Sequence, residues 1–285
     1  MISAVLALIL RIISNPFANF LQKKLATSYS SIMINCYVYF VLFICSVFYL
    51  IVSSTNIFNY NCYYWFLVLS SGLLCTLGSI SLIKALELGE MSVLAPINSY
   101  KCLVGLFGGI IFLGEFPLLK EFLGLVLIIF GSVFVFGTLK DVGKFNLFKR
   151  KDIFLRFCAL FCSGIEAVIL KKIILLSSPI LCFCWWCISG FIFSIVLMII
   201  FKKEFKSINN IEILNIFGIA IGLGIMQLST NIVFKYINVG LSLALFQMSG
   251  VIGVMMGYFF FKERNIVKKL IGSIIMIIGS CLIIK

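Results

Sequence analysis

The sequence predicts an all-α polytopic membrane protein with ten transmembrane helices, arranged as two inverted five-helix repeats. Two observations carry that expectation. Apolar residues make up 62% of the 285 positions and charged residues 12%, against about a quarter charged in ordinary soluble domains. The chain also writes one skeleton twice. Gly105, Gly109, Glu115, Lys120, Gly124, Gly131 and Ser132 recur 148 positions later as Gly253, Gly257, Glu263, Lys268, Gly272, Gly279 and Ser280. Lys23, Lys24 and Cys36 obey the same offset with Lys171, Lys172 and Cys184. A repeat on this scale dictates architecture.

Each copy holds enough apolar runs of roughly 20 residues for five spans. The first runs over 2–25, interrupted at Asn15 and Pro16, because proline removes a backbone donor and kinks a helix. The second covers 31–52, the third 62–86, the fourth 92–113 and the fifth 118–139. The fourth contains Pro96 and reads as a half-broken helix. A basic linker at 140–152 separates the first repeat, 1–139, from the second, 153–285. The second repeat places its helices near 153–176, 179–201, 211–237, 241–261 and 266–284. Matching Gly89 to Gly240 makes the repeat slip by three residues between its third and fourth helices. An odd number of helices per copy forces the second to enter the membrane upside down, the inverted topology of many secondary transporters. Lysine and arginine concentrate on the side holding the loops after helices 1, 3, 5, 7 and 9, so the positive-inside rule puts that side in the cytoplasm and both termini outside.

The net charge of +13 belongs to those loops rather than to nucleic-acid binding, which needs a clustered basic face. The eleven cysteines fall mostly inside apolar runs and, with no histidine in the chain, form no zinc signature. No metal and no cofactor is expected. Met1 to Leu10 lacks a basic start and a small-residue cleavage site and reads as a retained first helix.

The run Lys84-Ala-Leu-Glu-Leu-Gly-Glu-Met-Ser-Val-Leu-Ala-Pro, then Phe-Leu-Gly-Glu115, Gly124 and Gly131, resembles the EamA-like type of the drug/metabolite transporter superfamily. Val239-Gly240 to Phe-Lys-Glu263, with Gly272 and Gly279, is similar. The resemblance covers essentially the whole chain, departing where Gly114 becomes Lys262. It implies a ten-helix basket with a central cavity that moves metabolites across the bacterial inner membrane. No enzyme is expected, because the chain has no histidine, no paired midplane carboxylates and no phosphate- or metal-binding motif.

Ionisable groups at membrane depth are expensive and usually face the interior. Lys101, beside Asn98 and Tyr100, would hold an anionic or carboxylate-bearing substrate, or would pair with a buried acid. Glu166 would load a proton, bind an amine, or pair with Lys101 or Arg11. Arg11 would sit in the cavity or snorkel to the interface. Tyr100, Trp185 and Trp186 would stack on a substrate or pack on apolar neighbours. Asn15, Asn19, Asn98, Gln227, Asn231 and Gln247 would line the cavity or bond across helices. Gly105 with Gly109, and Gly253 with Gly257, read as packing faces. Glu115 and Glu263 read as structural or gating, with inverted symmetry bringing them toward Lys235 and Lys84; Pro16 and Pro96 join them as structural devices. Lys101, Glu166 and Arg11 together favour an amino acid or related zwitterion or organic anion, moved by alternating access. The same scaffold would serve a lipid or lipid-linked sugar flippase, or a multidrug or amine exporter. Membrane lipids are expected neighbours, and proton coupling and a homodimer stay open.

Overall fold

The computed structural model describes residues 2–53, 60–114, 119–120, 123–124, 126–127, 130–131, 150–202, 209–263 and 266–282. Its helices are α1 (Ile2–Ala26), α2 (Ser31–Val52), α3 (Cys62–Leu88), α4 (Met91–Ile97) and α5 (Lys101–Gly108) in the first half. The second half supplies α6 (Lys151–Leu176), α7 (Pro179–Ile200), α8 (Asn210–Tyr236), α9 (Val239–Leu245), α10 (Met248–Phe261) and α11 (Ile266–Leu282). Among the described residues seven helical stretches are long and apolar enough to span a membrane. Most of the fifth span and of the linker, and Glu115, lie outside the described residues.

The repeat register is 148 throughout. The starts of α2, α3 and α4 at 31, 62 and 91 return as 179, 210 and 239 in α7, α8 and α9. The three-residue slip expected from the sequence is therefore absent. Gly89 corresponds to Ile237, and Gly240 to Ser92. Caps recur in the same register: the Asn61 side chain accepts from the Tyr64 N–H, while at Asn209 the backbone N–H donates to Glu212 Oε2 at 2.9 Å. Each bond meets one of the polar groups left open at a helix start.

The helices pair across the two halves rather than within them. Against α6 lies α3, against α8 lies α1, and α2 faces α7. Swapping the halves turns the first pair into the second and leaves the third unchanged, as a two-fold relation requires. The ends show the inversion. A Cβ built at Gly89, where α3 ends, would lie 2.9 Å from the Asp152 Cβ at the start of α6, while Tyr64 at the start of α3 donates to Ser177 beyond the end of α6. On the two-fold relation α2 and α7 meet closely, since a side chain at Gly190 would enter the ring of Tyr39.

Proline does not end α1, which continues through Pro16. The fourth span is broken as expected, tightening into a 3-10 turn at Asn98–Tyr100 two residues after Pro96. Its repeat partner breaks at the same register, at Phe246 and Gln247 between α9 and α10, with no proline to announce it. There the Gln247 side chain donates to the Leu243 carbonyl at 2.7 Å. The two broken spans cross, α4 packing on α10 and α5 on α9. Gly105 gives Leu243 its place, and Gly253 does so for Ala95.

Gly114 and Lys262 end the broken spans in the left-handed region, at φ 69° and φ 53°. Glycine adopts that conformation freely, whereas a lysine pays a steric cost of about 1–2 kcal/mol. Lys262→Gly is expected to stabilise the protein by about 1 kcal/mol, seen as a higher midpoint in thermal unfolding. Lys262→Val should lower it.

Candidate functional site

A cavity of about 110 Å³ lies between the halves, walled by α1, α3, α6 and α8 and reached by both helix breaks. Its polar wall follows helical periodicity, in which residues three or four apart share a face. Arg11, Asn15, Asn19 and Gln22 line it from α1, and Arg156, Ser163 and Glu166 from α6. Gln227 and Thr230 come from α8, while Asn98 and Lys101 flank the first break.

Each charged group is held differently. Arg11 donates from Nε to Thr230 Oγ1 at 2.8 Å, and its guanidinium lies 4.8 Å from the Phe246 ring centre, a cation–π distance. Its Nη1 is buried with no hydrogen-bond partner among the described residues, as are Asn19 Oδ1 and Gln22 Oε1. Arg156 donates from Nε to the Leu94 carbonyl at 3.0 Å, one turn before the 3-10 segment, and so ties α6 to the break. Glu166 accepts from Trp186 Nε1 at 2.8 Å, and Trp186 packs on Tyr39. Tyr39 shares a hydrogen bond with Cys75 at 2.7 Å. Among the described residues none of these cations forms a direct ion pair with Glu166. The lining thus carries three cations and one carboxylate, with a guanidinium nitrogen open to a ligand. Guanidinium and ammonium groups in a desolvated cavity make strong charge-assisted bonds to carboxylates.

The structure gathers Lys101, Glu166, Arg11 and Asn98 around one space. Tyr100, Gln247 and Trp185 do not line it. Tyr100 packs beside Phe157, Gln247 serves the second break, and Trp185 meets Trp65 edge-on at 4.7 Å. Its neighbour Trp186 faces the cavity instead. In the sequence Arg156 does not stand out, because it lies near a helix start. The signal was the polar stripe at 156, 163 and 166, which one face of a helix presents together.

A second charged group closes one end of the bundle. Glu263 accepts from the backbone N–H groups of Met91 and Ser92, both at 2.7 Å, capping α4 of the other half. Lys23 bonds Glu263 at 2.8 Å and the Gly89 carbonyl at 3.0 Å. Lys269 adds bonds of 2.5 Å to Glu90 and to the Ser92 hydroxyl. Glu263 therefore meets Lys23 and not Lys84, which pairs with Glu87 one turn along α3. Gly257 leaves the room, since a Cβ there would sit 2.5 Å from Glu263 Oε2. Burial opposes the charge of Glu263, but the bonds from Lys23 and Ser92 outweigh it and hold the carboxyl below its ordinary range. At the opposite end Lys171, the repeat partner of Lys23, donates to the Ile237 carbonyl at 3.0 Å, in the place of Gly89. Metal-binding groups of histidine, cysteine and carboxylate are absent among the described residues.

Apolar spans, paired halves, broken helices and a polar cavity between them define a multi-pass membrane protein with a polar space in its interior. The EamA-like transporter family matches residues 2–137 and 150–285, one match for each repeat. The chain belongs to that family, and so to the drug/metabolite transporter superfamily. Among the solved structures that share the fold, a crystal structure aligns with a TM-score of 0.70 at 13% identity, over 98% of this chain and 96% of the other. No curated protein matches the chain significantly.

Proposed function

We propose that the protein is a ten-helix secondary transporter of the bacterial inner membrane that carries a small organic anion or zwitterion, such as an amino acid. The observation that supports this reading is the charge of the cavity: Arg11, Lys101 and Arg156 against Glu166 alone. A carboxylate bound to Arg11 and Lys101 satisfies the excess positive charge, while Glu166 receives an ammonium group or a proton. An amine exporter needs the opposite balance. The repeats, 1–139 and 153–285, rock against each other about the cavity, and the broken spans change contacts as they do. Alternating access requires that substrate bind both states without locking either, because a ligand shifts a conformational equilibrium only by its differential affinity. The end closed by Lys23 and Glu263 is the cytoplasmic one on the positive-inside rule.

Thermal unfolding of the purified protein with matched sets of carboxylates, zwitterions and amines tests the reading. The largest midpoint rise is expected from a carboxylate-bearing compound. Stabilisation by amines lacking a carboxylate, with none by carboxylates, would overturn it.

A further inference from the structure

A second void, of about 260 Å³, opens sideways between α3, α5 and α6, on the half of the bundle away from Lys23 and Glu263. Its walls are apolar: Phe66, Val104, Gly108, Phe112, Ile165 and Val168, with Lys172 at its edge. Phe66, Phe112 and Ile165 are exposed on the flank that meets lipid.

The repeat lines the matching place in the other half with different residues. At the same register in the other half, Gly108, Ile165 and Val168 are replaced by Met256, Phe17 and Phe20. There Phe20 meets Phe260, the partner of Phe112, at 4.7 Å between ring centres. Side chains thus fill in one half what small residues leave open in the other. Lys24 and Lys172 correspond, so the cation is common to both halves, while among the described residues bulkier side chains occupy the matching place in the other half.

We infer that this cleft binds an anionic phospholipid, with one acyl chain along Val104, Gly108 and Ile165 and the phosphate on Lys172. Hydrocarbon gains little by leaving other hydrocarbon, so occupancy depends on fit and on the headgroup. No described residue pairs with Lys172, and its long side chain reaches the headgroup level while its stem stays in the cleft wall. One cation near the surface favours an anionic lipid about five-fold.

The test uses the delipidated full-length protein with dioleoyl phosphatidylglycerol or dioleoyl phosphatidylcholine, and native mass spectrometry counts the lipid retained. Wild type is expected to hold phosphatidylglycerol about five-fold over phosphatidylcholine. Lys172→Gln should abolish that preference and Lys172→Arg should keep it. Ile165→Phe, which copies Phe17, should lower retention of both lipids. Equal retention of the two lipids by wild type, or undiminished retention by Ile165→Phe, would overturn the inference.

Discussion

Lys101→Met is expected to reduce transport at least about 30-fold, the effect of removing one partner from a buried charge interaction worth 2 kcal/mol or more. Lys101 begins α5 just past the broken turn, so its ammonium enters the cavity at a point where the span already yields. Losing it also leaves Glu166 facing two arginines that are engaged elsewhere, with Thr230 and with the Leu94 carbonyl. Breaking a direct buried ion pair costs about 3–5 kcal/mol. Lys101 and Glu166 do not touch, so a smaller stability loss, about 1–2 kcal/mol, is expected here. The double variant Lys101→Met with Glu166→Gln separates two roles. If Lys101 binds substrate, the second change restores thermal stability but not uptake into proteoliposomes. Uptake equal to that of Glu166→Gln alone would show that Lys101 serves only to balance Glu166.

Glu263→Ala is expected to give the largest loss of stability, about 3–5 kcal/mol. It removes a nearly buried partner of Lys23 and leaves the first N–H groups of α4 without their cap. The midpoint of thermal unfolding should fall by roughly 10 °C, taking about 2–4 °C per kcal/mol for a chain of this size. The pH dependence has a fixed sign. The folded carboxyl titrates below its unfolded value, so its contribution is fully present above about pH 4.3. It is lost as the pH falls through the lower folded value. Wild type should therefore lose stability in acid by an increment that Glu263→Gln lacks. A Glu263→Ala midpoint within about 2 °C of wild type would mean that water replaces the cap at little cost.

Much of the architecture is legible in the residues themselves. Membrane depth follows from apolar runs, and the break of the fourth span from Pro96. The matching break at Phe246 is not legible, because no residue there forbids a helix. Gly89 and Gly240 mislead for a related reason. Glycine suits many turns, so identity of type need not be identity of place. The helix ends, set by backbone geometry, put Ile237 opposite Gly89.

The cavity was half legible. Lys101, Glu166 and Arg11 stand out because a charge in an apolar run is costly and conspicuous. Arg156 does not, since an arginine close to a helix start is usual, and only the packing of α6 against the first break brings it inward. Trp185 and Trp186 are adjacent and chemically alike. Which of them meets Glu166 depends on the rotation of α7.

By itself the sequence determined two copies, their membrane setting and the rare charges that cross it. Those follow from composition and spacing, which are properties of the chain. The tertiary structure alone decided the partners: Glu263 with Lys23 rather than Lys84, Trp186 rather than Trp185, and an open cleft at Gly108 where Met256 closes its counterpart. Inverted packing brings together residues distant in the chain, and a contact between helices turns on rotations about their axes that periodicity leaves free.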